Sequence, residues 1–155
     1  MPWLLERLGG RLGRAEAAPA MPPLVRPGPQ ARWRVGLLTA AGVHLARQPP
    51  FDMTDPDGDP TFRVLPPTPA ADDLTITHDY YDHSAADRDV NCVLPLDRLR
   101  ELAARGVVGD VAPRHVSFMG HLAGARLEAF VREQAPAIAR LFVDDGVHVV
   151  VAAPG

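Results

Sequence analysis

The run His78-Asp79-Tyr80-Tyr81-Asp82-His83 concentrates more acid–base chemistry than any other stretch of this 155-residue chain. On a helix, His78 and Asp82 at i, i+4 would share one face and suit either an acid–base pair or two ligands of a metal ion. The same residues have a purely local reading, in which they cap a helix and close a loop by hydrogen bonding. His78 also follows a predicted strand end, where open α/β sheets place functional groups. His44 and His121 are candidates of the same kind, each close behind small residues or glycine after a predicted strand. A four-coordinate zinc at His78 and Asp82 would need further ligands such as these.

Other reactive side chains carry less. Cys92, in Val90-Asn91-Cys92-Val93-Leu94, has no cationic neighbour to favour its thiolate and is expected to be a buried structural thiol. Asp52, Asp55, Asp57 and Asp59 surround Gly58, but the glycine comes too early for an EF-hand loop and the closing glutamate is missing, so a solvated turn is expected. His148 alternates with valines and is expected to be a core or face residue of its strand. The sequence has no dinucleotide-binding glycine fingerprint, no phosphate loop, no nucleophile-elbow serine motif and no C-x-x-C.

The elements that must position these residues follow from periodicity. Arg34–Thr39 is a short apolar run that predicts a buried strand, and Ala40-Ala41-Gly42 after it allows close approach to the backbone. Pro49 to Pro69 is turn-forming. Leu74–Thr77 and His115–Met119 predict strands. Pro95–Arg105 predicts a helix packed through Leu96, Leu99, Leu102 and Ala103, with Gly106 as its stop. Leu122–Arg132 and Pro136–Asp144 predict two helical pieces separated at Pro136, with Gly146 closing the second. Val147–Ala153 is rich in β-branched residues and predicts a buried parallel strand. Strands alternating with helices imply an α/β, Rossmann-like layered domain with a mostly parallel sheet. Ahead of it, Leu4, Leu8 and Leu12 mark a short amphipathic helix, and five prolines between Pro19 and Pro29 mark an extended linker. Residues 1–32 are therefore expected to be an N-terminal arm and linker, and 33–155 the domain.

Composition narrows the function classes. Hydrophobic residues at 46% with 23% charged describe a folded globular chain. A net charge of −3 argues against a sequence-independent grip on nucleic acid. All 16 basic residues are arginine, which excludes a lysine Schiff base. A single cysteine excludes an internal disulfide framework. The first residues contain no apolar core of an export signal, and no apolar run approaches the ~20 residues of a membrane span, so a soluble cytoplasmic location is expected.

Ordered motifs add a resemblance. Thr39-Ala40-Ala41-Gly42-Val43-His44, Pro49-Pro50-Phe51-Asp52, Gly58-Asp59-Pro60-Thr61-Phe62-Arg63 and His78-Asp79-Tyr80-Tyr81-Asp82 come in sequence. They are followed by Asp89-Val90-Asn91, Pro95-Leu96-Asp97-Arg98-Leu99, Gly106-Val107-Val108-Gly109 and Ser117-Phe118-Met119-Gly120-His121. The string, from about Arg34 to Gly155, resembles the selenoprotein B family. These are the selenocysteine-bearing subunits of glycine, sarcosine and betaine reductases and of D-proline reductase. Short members of the D-proline reductase type are the most similar.

The resemblance implies reductive cleavage of a C–N bond in a small amino acid or related amine. A pyruvoyl group on a partner subunit would activate the amine, a selenolate would attack the adjacent carbon, a resolving thiol would displace the product to form a selenosulfide, and a thioredoxin-like dithiol would reduce it. The family places its selenocysteine, or a replacing cysteine, just after a strand and a turn that Pro154-Gly155 matches. The nucleophile is therefore expected immediately beyond Gly155, at a UGA codon read as a stop, with no catalytic residue or cofactor within the chain. His44, His78, Asp82, His121, Pro154 and Gly155 are the expected pocket residues. The alternative is a non-catalytic subunit scaffold, or a domain binding a small ligand or metal through His78 and Asp82.

Overall fold

The computed structural model of the chain describes residues 27–154. Its spine is β1 (Arg34–Thr39), and the strand's alternation assigns its two faces. Val35 and Leu37 point into one buried cluster. On the opposite face Gly36 has no side chain because Phe142 lies there, with its ring 2.7 Å from where a Cβ would stand. The next strands are β2 (Val43–Leu45), β3 (Phe62–Leu65) and β4 (Leu74–Ile76). Two helices, α1 (Ser84–Arg88) and α2 (Leu96–Ala104), lead to β5 (Asp110–Val111) and β6 (His115–Phe118). The chain continues through α3 (Gly124–Ala129) and α4 (Ala135–Asp144) to β7 (Val149–Ala153).

The main sheet is mostly parallel. β7 pairs with β1 from Val35 to Thr39. Along its other edge β1 meets β5 at Arg34–Val35 and β6 at Leu38–Thr39, both parallel. β3 then pairs antiparallel with β6. β2 and β4 form a separate antiparallel pair whose Val43 and Leu45 enter the same core as Val35, Leu37 and the α2 residues Leu96 and Leu99. On the other face Ile138 and Phe142 of α4 pack with Val116. Helices thus cover both faces of a mostly parallel sheet, the layered α/β arrangement expected from the element pattern.

Several boundaries match the sequence reading, and the differences have local causes. β1 has the predicted bounds. Helix α2 is capped by Arg105, with Gly106 at φ 70°, Gly106 N–H donating to Ala103 and Val107 N–H to Leu102, the hydrogen-bond pair of a Schellman stop. Leu102 is exposed rather than packed, because Leu96, Leu99 and Ala103 centre the buried stripe about 90° away from it. Pro136 does not separate two helices. A π-helical turn over Phe130–Gln134 carries α3 into α4, which places the proline in the first turn of α4, where a missing N–H is tolerated. The proline-rich stretch also holds β3, which finds a partner only across the chain in β6.

The last strand corrects a prediction. β7 is parallel, as expected, but it is not buried: it pairs only with β1 among the described residues, and Val150 and Val151 are exposed. A β-branched run is compatible with an edge as well as a core, so composition alone overstated its burial. The predicted helix at Leu4, Leu8 and Leu12 lies outside the described residues. From Pro27 onward the linker is tied down: the indole N–H of Trp33 donates to the carbonyls of Pro27 and Gly28, and Ala31 and Arg32 press on Gly109. Among the described residues no helix is long and apolar enough to cross a membrane.

One side chain completes the sheet. Between β5 and β6 the amide of Leu37 meets no strand carbonyl; it donates instead to Nδ1 of the fully buried His115, at 3.0 Å. Burial, reinforced by the positive charge of Arg100, lowers His115 to a pKa of about 4. The folded protein then binds fewer protons than the unfolded chain below the ordinary imidazole value of 6.5. Stability from this group is complete above pH 6.5 and is lost as pH falls toward 4, by about 3 kcal/mol in all. Urea unfolding across this window is expected to show that loss, and His115→Asn, which keeps an acceptor but does not titrate, is expected to flatten it. An unchanged slope in the variant would show that other groups govern the window.

Candidate active site

β1, β6 and β7 run parallel and therefore end at the same edge of the sheet. Just past those ends, Ala40, Gly120 and Pro154 line a cleft of about 390 Å³ whose remaining walls are His78, Tyr80, Tyr81 and His121. This is the edge at which open α/β sheets bind ligands. Backbone contacts hold the floor together: Ala40 N–H donates to Ala153, Gly120 N–H to Ala40, and Gly42 N–H to Phe118. The small residues after β1 are used as the sequence suggested. Gly42 takes φ 69°, and a Cβ there would lie 2.6 Å from the Thr77 carbonyl and 2.9 Å from His78 Cβ. That contact brings the β4–α1 turn against the end of β1.

His78 sits in that turn, and 5% of its surface is exposed. Its Nδ1 accepts the Tyr80 amide at 3.4 Å. Tyr81 meets the His78 ring edge-on at 5.0 Å between centroids, and its hydroxyl donates to the Ala41 carbonyl. Burial lowers the His78 pKa, and the neighbouring His121 acts in the same direction. Burial together with Asp87 raises that of Tyr81. The cleft has no carboxylate, arginine or lysine among its lining side chains.

His121 is fixed by the aspartate-rich loop. Its Nε2 donates to the Pro56 carbonyl at 2.8 Å, and its ring stacks on Tyr80 with centroids 3.9 Å apart. Gly58 makes this docking possible: at φ 86° its missing Cβ would lie 1.9 Å from the His121 carbonyl oxygen. Arg126 pairs with Asp55 at 2.7 Å, and the Ala123 amide donates to the Asp57 carbonyl. Asp59 is buried; burial would raise its carboxyl, but hydrogen bonds from Thr61 and the Asp52 amide, with the Arg63 charge, hold it below the ordinary carboxylate value. The expected solvated turn is thus a structured loop that buttresses the cleft, the carboxylates of Asp52, Asp55 and Asp59 occupied by local hydrogen bonds and arginines.

The candidates separate accordingly. The structure brings His78, His121 and Pro154 together, while Gly155 lies outside the described residues. His44 does not reach the cleft: it is buried on β2, its Nδ1 donating to Leu45 and its Nε2 accepting from Thr77. Asp82 does not share a helix face with His78, because residues 78–82 form a turn; it accepts the Ser84 amide at the start of α1 and is exposed. Among the described residues no group of three or more His, Cys, Asp or Glu side chains is placed to hold a metal ion. Cys92 is exposed, against expectation, because the short 3-10 turn Val90–Cys92 buries its valine side more than its thiol. His148 is a face residue whose Nδ1 accepts the Arg34 amide. Tyr80 and Tyr81 were missed as lining residues, although they stand inside the polar cluster that the sequence flagged.

The glycine/sarcosine/betaine reductase selenoprotein B family matches residues 68–154. The D-proline reductase subunit gamma of Acetoanaerobium sticklandii is 36% identical over 121 residues, 78% of this chain and 48% of that protein. The sarcosine reductase complex component B subunit beta of Peptoclostridium acidaminophilum is 43% identical over 51 residues, 33% of this chain and 12% of that protein. The chain thus spans less than half the length of either relative. No solved structure matches.

The Gly58 interlock is testable. Gly58→Ala is expected to lower thermal stability by more than Gly28→Ala, which shares a left-handed φ (67°) but meets nothing within 4 Å, and whose cost is about 1–2 kcal/mol. The ring resonances of His121 should shift only in the Gly58 variant. Equal losses in the two variants would remove the interlock from the account of the cleft.

Proposed function

Because the chain belongs to the glycine/sarcosine/betaine reductase selenoprotein B family, we propose that it is part of a reductase-complex subunit that cleaves a C–N bond of a small amino acid or related amine. The observation that carries this reading is the position of Pro154. It lies past the end of β7 in the cleft lined by His78, Tyr80, Tyr81 and His121, where three parallel strands end together. A nucleophile following Gly155, as the resemblance implies, enters beside these rings. Selenium suits that role because a selenol ionises more readily than a thiol, and the ionised form attacks.

The chain's own residues supply the setting. Ala40 and Gly120 leave room at the floor, His78 and His121 offer ring nitrogens, and a lining without carboxylates leaves hydrogen bonds to any anion held there unopposed by negative side chains. The pyruvoyl group implied for a partner subunit would activate the amine, and no residue of this chain is assigned to hold it. The substrate class on this reading is glycine, sarcosine, betaine or D-proline, and the reductant a thioredoxin-like dithiol.

Reading the gene beyond codon 155 tests the proposal directly. The expected result is UGA at the next codon, with the frame continuing to a proline and a cysteine within four codons. The extended protein, with its partner subunit, should show dithiol-dependent reduction of one of these substrates, lost when the selenocysteine is replaced by serine. UAA or UAG at that codon, or no such frame beyond it, would falsify the proposal.

A further inference from the structure

His78 is the one cleft residue that combines near-complete burial with an unused polar atom. It is 5% exposed. Its Nδ1 accepts the Tyr80 amide, so in the neutral ring the proton resides on Nε2. Nε2 has no hydrogen-bond partner among the described residues and lies 3.6 Å from where a Cβ on Gly120 would stand, at the cleft floor. Any side chain on Gly120 would fill the space that this N–H faces. The surroundings keep the ring neutral: burial, with His121 and His83, outweighs the ring's own backbone carbonyl and Asp79, which favour a positive charge, and Tyr80 and Tyr81 pack edge-on against it.

A neutral imidazole with its N–H directed into such a cleft is a poor proton donor but a good hydrogen-bond donor to an anion. His121 cannot serve in the same way through Nε2, because the Pro56 carbonyl occupies it. Tyr81 is committed to the Ala41 carbonyl. We propose that His78, through Nε2–H, is the hydrogen-bond donor that holds the nucleophile of this cleft in its anionic form. The assignment rests on the reading that a selenolate or thiolate follows Gly155. His78 is then a positioning and electrostatic residue that transfers no proton.

Two measurements decide it. In the chain itself, ¹⁵N spectra of the imidazole at pH 7 are expected to show Nδ1 bare and Nε2 protonated; the opposite tautomer, or an imidazolium, overturns the assignment. In the protein extended through the nucleophile, with Cys92→Ser removing the exposed thiol, the pH dependence of iodoacetamide alkylation reads the nucleophile's apparent pKa. His78→Ala is expected to raise that pKa by about one unit, a tenfold loss of anion at pH values below it. His78→Gln, whose amide can present an N–H near the position of Nε2, should recover most of the shift. A pKa unmoved in His78→Ala overturns this inference while leaving the reductase reading intact. A gene with no nucleophile beyond Gly155 overturns both.

Discussion

The amide of Leu37 is the point on which the sheet turns. β1 is bonded along one edge by β7, but its other edge passes from β5 to β6, and at the handover no strand faces Leu37. An unpaired buried N–H would cost about 1–3 kcal/mol. His115 satisfies that amide by turning Nδ1 to it, which requires the ring to stay neutral and leaves its own Nε2 buried without a partner among the described residues. With the gap closed, β6 takes its register against Leu38 and Thr39 and ends level with β1 and β7. The cleft exists because those ends coincide.

Around that edge the backbone, more than the side chains, sets the distances. Gly42 and Gly58 both adopt left-handed φ values, and both lie where a Cβ would collide with a carbonyl oxygen, of Thr77 and of His121 respectively. The first contact delivers His78 to the sheet edge, and the second delivers His121. Neither histidine is carried by a regular element. Each is held by a loop pressed against another loop, a precision that depends on residues remote in sequence.

Charge is arranged around the cleft rather than in it. Arg126 and Asp55 tie α3 to the aspartate loop, Arg63 and Asp59 tie that loop to β3, and Arg114 and Asp145 join the approach to β6 with the end of α4. A partly exposed pair such as Arg126–Asp55 contributes little stability singly, about 0–1 kcal/mol, whereas Arg63–Asp59 is largely buried. Their consequence is positional: they hold the loops while the lining itself carries no carboxylate, arginine or lysine, so a single hydrogen bond to an anion there weighs more than it would in water.

What the sequence determined by itself was whatever depends on neighbours a few residues away. The apolar run of β1, the helix from Leu96 to Ala104 with its Gly106 stop, and the ordered motifs that mark the family were all legible, because periodicity and turn chemistry are local. So was the importance of the His78–His83 cluster, though not which members matter. Tertiary structure decided the rest. His44 and His121 looked alike in sequence, yet one is buried on β2 and bonded to Leu45 and Thr77, while the other lines the cleft because Gly58 admits its carbonyl. The valines of β7 read as core, but among the described residues β7 pairs on one side only, and Val150 and Val151 are exposed. Burial and hydrogen-bond partners are properties of residues brought together from far apart in the chain, and spacing within one segment cannot encode them.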